Sequence, residues 1–327
     1  MNVEALASYI SIKLPPVWDK YREQMDAGYK PGWIDQFDYK TIAAWYGFEE
    51  AYTARILQEV DAVHADPMLE QVVYAMYYAL YETTPDEFMQ TWNWSGDPKE
   101  FADHGTPMLC VLALLAGQPI HERNMVTFDD EQIAVQKQGV RNTCMGEHDR
   151  FGIDGIRFSL MAWGVYFIRT FMVTLGRMQY ELGLHDFKQL YPYIGEDAVQ
   201  VYIHVPRPGS FAPEVLDASI AMAKECLPRY FPGIDADKIV LTATSWLLSP
   251  DLDEVLPPES NIRKFKDRFH VTEVYENRTD SFMSFVFDRT DVPKDYNELP
   301  ANSSLQKGLK DMLLSGRELR AGFGYMK

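Results

Sequence analysis

His204 and the run that follows it combine a titratable side chain with a backbone suited to holding an anion. An imidazole changes charge near neutral pH and suits proton transfer. The run Arg207-Pro208-Gly209-Ser210-Phe211-Ala212 stands just before a helix that opens at Pro213. Unpaired amides at a helix start carry partial positive charge and can hold an anion. Gly209 lets the backbone approach closely. Against this, Pro208 offers no amide, and Glu214 in the first turn competes with an anion for the helix dipole. Two uses stay open for the run, a phosphate loop or a turn joining strand to helix. His204 is either a base or a residue that closes a strand with its ring bonded to the loop.

Other groups have reach but no diagnostic spacing. Glu214 is a second base or a first-turn acid that steadies its helix. Ser245 and Trp246 end a strand, where they line a channel or the indole fills the strand end. Arg177 and Gln179 alternate with Met178, so they share one face and serve a substrate or a domain interface. Tyr74, Tyr77, Tyr78 and Tyr81 recur at helical spacing and form a pocket wall, a core seam or a domain interface. His121-Glu122 and His148-Asp149 lack further ligands at helical spacing, so no metal site is expected. The chain has no Walker sequence, no G-x-G-x-x-G and no Gly-x-Ser-x-Gly elbow, which argues against nucleotide loops and serine-hydrolase chemistry.

The elements that must position these groups fall into two halves. The first ~140 residues read as successive helices. Phe48 to Ala65 is amphipathic, and Asp66-Pro67 supplies a cap and a first helical residue for the next helix. Thr84-Pro85-Asp86-Glu87 is a capping box. Met108 to Ala116 is apolar all round and belongs at the centre of the N-terminal domain. After about Met145 the pattern changes. Asp154 to Met172 reads as a core helix, Val173 to Leu182 as a strand, and Val199 to Val205 as the clearest strand. A helix from Pro213 carries Leu216, Ile220, Ala223 and Leu227. Ile239 to Trp246 is a strand, Leu247 to Glu259 a loop or short turns, and Ser260 to Phe269 a short helix. Val271 to Glu276 and Ser281 to Asp288 read as a hairpin around Asn277-Arg278-Thr279-Asp280, and Ser303 to Glu318 as a last helix. The expected domains are 1–145 and 146–327.

Composition narrows the class. A chain of 327 residues exceeds the usual single domain. A net charge of -17 repels nucleic acid and anionic membranes, and it favours a cationic ligand. Three scattered cysteines, Cys110, Cys144 and Cys226, form no disulfide framework. The start carries no basic, apolar leader, and the longest apolar stretches fall short of a bilayer span. A cytoplasmic protein is expected, with its oligomeric state open.

Four stretches carry a family resemblance: Leu175-Gly-Arg-Met-Gln-Tyr180, Ile203-His-Val-Pro206, Ser245-Trp-Leu-Leu-Ser-Pro250 and Glu259-Ser-Asn-Ile262. With the order of elements, they make the second half resemble bacterial acyltransferases that join an all-helical N-terminal domain to a GNAT-like C-terminal domain. The implied fold is a helical domain followed by an α/β domain with a mixed, mostly antiparallel sheet. The resemblance implies acetyl-CoA or another acyl-CoA as co-substrate, no metal, and a small amine acceptor. It also implies a cleft where two parallel strands splay apart, here Val199–Val205 and Ile239–Trp246. Val205, Arg207, Gly209, Ser210, Phe211 and Ala212 would bind the cofactor, together with Ser245 and Trp246. The family's loop is Gln or Arg, two residues, Gly, one residue, Gly or Ala. Arg207 and Ala212 fit it, but Ser210 stands at the main glycine position.

Acyl transfer to an amine needs a base, an oxyanion donor and a proton for the departing thiolate. His204 and Glu214 are the base candidates. The family often draws the last proton from a tyrosine on the helix after the fifth strand. The matching helix, Ser260 to Phe269, has none, so Ser260 or Tyr275 would have to substitute. Two functions follow: a GNAT-type N-acyltransferase working by direct attack in a ternary complex, or a catalytically silent GNAT-like scaffold that binds a ligand or a partner.

Overall fold

The computed structural model describes residues 1–10, 14, 16–84, 87, 106–156, 161–207, 209–276, 280–289 and 291–326. Two compact units meet between Val173 and Thr174. The helices up to Ile168 therefore belong with the N-terminal unit, although a boundary at 145/146 would have grouped the last of them with the sheet.

The N-terminal unit contains α1 (Val3–Tyr9), α2 (Pro16–Lys20), α3 (Arg22–Gly28), α4 (Tyr39–Tyr46), α5 (Glu50–Ala65), α6 (Pro67–Tyr81), α7 (Thr106–Leu115), α8 (Gln118–Asn124), α9 (Asp130–Phe151) and α10 (Met161–Ile168). Asp66 caps α6, its side chain accepting the Met68 N–H at 2.9 Å, with Pro67 as the first helical residue. The capping box forms in part of its span: Thr84 N–H donates to Glu87 at 3.1 Å and Glu87 N–H to Thr84 at 3.3 Å. Pro85 and Asp86 lie outside the described residues. Helix α7 is the centre of the unit, with every residue from Met108 to Leu115 at most 2% exposed. The tyrosine row of α6 is a core seam. Trp33 packs on Tyr74 and Tyr77, and the Tyr81 hydroxyl donates to the Leu114 carbonyl at 2.8 Å. No helix of the described residues is long and apolar enough to cross a membrane.

The C-terminal unit is built on a six-stranded mixed sheet that orders its strands β1-β2-β3-β4-β6-β5. They are β1 (Met172–Leu175), β2 (Met178–Leu182), β3 (Val199–His204), β4 (Ile239–Ser245), β5 (His270–Tyr275) and β6 (Ala321–Met326). Between β2 and β3 lies α11 (Tyr191–Ile194). The long helix α12 (Pro213–Tyr230) connects β3 to its parallel neighbour β4, as a parallel pair requires. Then follow α13 (Leu252–Val255), α14 (Asn261–Lys266), α15 (Asp280–Val286) and α16 (Ser304–Leu314).

Four expectations change. Val173 to Leu182 is a hairpin of two strands, because Gly176 takes φ +64° in the turn. Arg177 therefore sits in that turn and not on a strand face shared with Gln179. Asp154 to Met172 is not one helix: α10 spans only Met161–Ile168, Met172 opens β1, and 157–160 lie outside the described residues. Ser281 to Asp288 is largely helix, since Phe282, Met283 and Phe287 bury one helical face against Leu309 and Met312. The expected turn at 277–279 lies outside the described residues. The last strand, β6, follows a helix that stops at Leu314 and inserts between β4 and β5.

Candidate active site

The pairing of β2 with β3 places Gln179 opposite His204 and Glu181 opposite Tyr202. Cross-strand partners share a face, so these four polar side chains stand together. Helix α12 covers the opposite face, where its buried Ser219 accepts the Met178 N–H at 3.0 Å and meets the Tyr180 hydroxyl at 3.0 Å. The centre of the polar face is Glu181, whose side chain is 2% exposed. Its Oε2 lies 2.7 Å from Nε2 of His204 and its Oε1 lies 3.0 Å from Nε2 of His185. Burial works to raise the Glu181 carboxyl, yet the donors His185 and His204 outweigh it and hold the group below its ordinary value. A carboxylate beside an imidazole accepts its Nε2–H and so fixes the orientation of the ring. His204 is thus bonded to a neighbouring strand.

Beside His204 the sheet divides. Strands β3 and β4 pair from Val199↔Ile239 to Tyr202↔Thr242. Past that point β3 remains with β2 as far as His204, while β4 remains with β6 as far as Ser245. The Tyr202 hydroxyl fills the start of the division. It accepts the Thr244 N–H at 3.0 Å and donates to the Thr244 carbonyl at 3.1 Å. Its ring packs against His204, His185 and Phe187, with centroids 4.9, 5.1 and 5.8 Å away. Burial raises the Tyr202 phenol, and the Thr244 hydrogen bonds offset part of that.

The loop after β3 is braced from the β1–β2 turn. Arg177 Nε donates to the Ser210 carbonyl at 3.0 Å, and its guanidinium lies 5.5 Å from the Phe211 ring, which also meets Phe265 at 5.7 Å. Burial lowers the Arg177 guanidinium from its usual value. Gly209 is required by this approach, since a Cβ there would lie 2.5 Å from Arg177 Nε. Ser210 Oγ accepts the Ala212 N–H at 3.0 Å, and Ala212 caps α12 with its backbone alone. Val205 is half-buried, and Glu214 is exposed on the first turn of α12. Arg207 is exposed, 3.4 Å from Asp288 and over Phe285. Pro208 lies outside the described residues.

The remaining sequence candidates come from the end of β4 and the chain beyond it. Ser245 ends β4, and its Oγ accepts the Leu247 N–H at 3.1 Å. Trp246 packs on Phe282 in a second core. Ser260 precedes α14 without a side-chain cap bond. Tyr275 ends β5 at the sheet edge, with β4 and β6 between it and β3, so about 14 Å at the usual strand spacing separates it from His204's strand. Its hydroxyl donates to Glu273, and burial and that bond push it up to about 12. Glu181 and His185 were not singled out by sequence. Their i, i+4 spacing was visible, but Glu181 becomes His204's partner only through the register of β2 on β3. In the N-terminal unit, a cavity of about 320 Å³ is lined by Tyr81, Ile120, Arg123, Asn124, Arg169 and Phe171. Arg169 there is committed to the Leu80 and Thr83 carbonyls.

Residues 172–326 match the family model of the GNAT-like C-terminal domain. No curated protein sequence matches the chain. Among solved structures, an acyltransferase in complex with decanoyl-CoA superposes with a TM-score of 0.74 at 20% identity, over 100% of this chain and 99% of the other. An acyltransferase in complex with decanoyl-CoA and teicoplanin gives 0.75 at 20% identity, with the same coverage of 100% and 99%. A mutant acyltransferase in complex with octanoyl-CoA does likewise, at 0.75 and 20% over 100% and 99%. These likenesses are of fold. The chain is a helical N-terminal part followed by a GNAT-like domain on a six-stranded mixed sheet.

Proposed function

We propose that this chain, with its GNAT-like domain, moves an acyl group from acyl-CoA to a small amine by direct attack in a ternary complex. The observation that carries the reading is the buried Glu181 carboxylate 2.7 Å from His204, at the place where β3 and β4 stop pairing. His204 takes the proton that the neutral amine loses as its nitrogen bonds to the acyl carbon, the ammonium having first shed one proton to solvent, and Glu181 orients the ring and stabilises the imidazolium. The free edge of β3 past Tyr202 receives the pantetheine as an added strand would be received. The loop from Arg207 to Ala212, braced by Arg177, receives the phosphates at the start of α12. A net charge of -17 favours a cationic acceptor. One structural neighbour holds teicoplanin beside decanoyl-CoA, which supports a small-molecule acceptor here.

Melting in the presence of acyl-CoA tests the binding half. At about 100 times the dissociation constant the ligand adds about 2.7 kcal/mol of stability. Thiol release against a panel of amines tests the chemistry, and His204→Ala is expected to abolish most of it. Binding without release from any amine would leave a ligand-binding scaffold. No melting shift at millimolar acyl-CoA would remove the acyl-CoA reading itself.

A further inference from the structure

We propose that Tyr202 delivers the proton taken up by the departing thiolate, a role that rests on the acyl-transfer reading above. Of the expected donors, Tyr275 lies on the far edge strand with its hydroxyl on Glu273, and α14, the helix that Ser260 precedes, has no tyrosine. Tyr202 is the phenol at the point where β3 and β4 part. Its ring touches the His204 ring, so a base for the amine and an acid for the sulfur stand side by side on one strand, two residues apart.

The two bonds to Thr244 suit this task. The hydroxyl donates to the Thr244 carbonyl at 3.1 Å, so its proton can be redirected by a small rotation about the C–O bond. It accepts the Thr244 N–H at 3.0 Å, and that bond strengthens once the oxygen carries charge. In the step, the amine nitrogen bonds to the thioester carbonyl carbon and loses its proton to His204. The carbon–sulfur bond breaks with its electron pair on sulfur, and sulfur takes the Tyr202 proton. The imidazolium proton then returns to the phenolate through solvent. The sum is an amide and a free thiol, with no other reactant.

The experiment compares two donors in Tyr202→Phe, a change that removes one oxygen and keeps the ring. With acyl-CoA and an amine, kcat is expected to fall about 100-fold, the low end of what a positioned acid contributes. With the acyl thioester of 4-nitrothiophenol, whose thiolate leaves without a proton, the fall is expected to stay within about threefold. An equal fall on both donors would assign Tyr202 a structural role and overturn the proposal alone. Thiol release by neither donor in the wild-type protein would overturn the acyl-transfer reading and this proposal with it. Should the Phe variant fail to fold, 3,5-difluorotyrosine at position 202 keeps ring and hydroxyl. The alkaline limb of the pH–rate profile with acyl-CoA is then expected at lower pH, and an unmoved limb would count against the proposal.

Discussion

The Glu181 carboxylate sits between two imidazoles, 2.7 Å from Nε2 of His204 on the next strand and 3.0 Å from Nε2 of His185 four residues on. His204 and Glu181 should therefore act as one unit. His204→Ala is expected to lower kcat/KM about 100-fold or more, and Glu181→Gln by a smaller factor. The double variant should be no slower than His204→Ala, since residues that act together are not additive. Steady-state kinetics of the three variants checks this, and additive losses would separate the two residues.

Glu181 also ties stability to pH. Its folded carboxyl is held below the unfolded value of 4.5. The stabilisation is thus fully present above pH 4.5 and is lost as the pH falls through the lower, folded value. Melting temperature against pH should fall less steeply in this acid range for Glu181→Gln than for the wild-type protein. A parallel decline would show that the carboxylate is not stabilised by its histidines.

His121 gives a second acid dependence, in the N-terminal unit. It is fully buried, with Nδ1 3.1 Å from the Tyr46 hydroxyl, and burial first and Lys137 second lower it from 6.5 to about 3. The unfolded chain takes up this proton near pH 6.5 while the folded chain refuses it, so stability declines as pH falls from 6.5 toward 3. In His121→Gln that part of the decline should vanish, as thermal melts at pH 7 and pH 4.5 would reveal.

Gly209→Ala places a methyl group against Arg177, 2.5 Å from Nε. The arginine must leave the Ser210 carbonyl, and the loop loses its brace. Acyl-CoA affinity is expected to fall about tenfold, about 1.4 kcal/mol, and the unliganded protein is expected to melt lower, since φ +154° strains an alanine at this position. Calorimetric titration gives the first quantity. Equal binding by the variant would place the phosphates elsewhere.

Ser219→Ala tests how α12 is fastened to the β1–β2 hairpin. The Oγ donates to the Leu175 carbonyl at 2.5 Å and accepts the Met178 N–H at 3.0 Å, and the residue is 1% exposed. Removing it strands buried polar groups at a cost of about 1–3 kcal/mol. Urea denaturation should show that loss.

Some elements announced themselves in sequence. Val201 and Ile203 of β3 alternate with Gln200, Tyr202 and His204, so a strand with one buried face follows from period two. Helix α12 was readable from Pro213 and its apolar stripe, and β4 from its β-branched run. Strand β6 was hidden because Gly322 and Gly324 are poor strand residues. Their reason is tertiary: a Cβ at 322 would lie 2.4 Å from the Leu248 carbonyl oxygen, and one at 324 would lie 2.5 Å from that of His270. Ser281 to Asp288 misled because Phe282, Phe285, Val286 and Phe287 are residue types that favour strands, yet Phe282, Met283 and Phe287 find their partners on α16 as a helical face.

The amino-acid order by itself determined which segments could be strands or helices, where His204 would end its strand, and that Pro213 would open a helix after a glycine-containing loop. Those properties are local, set by side-chain period and backbone restriction within a few residues. Only the tertiary structure decided that Glu181 stands behind His204 and that Tyr202 reaches Thr244. Both depend on strand registers spanning 23 and 42 residues of chain, and a slip of one residue would turn each side chain to the opposite face of the sheet.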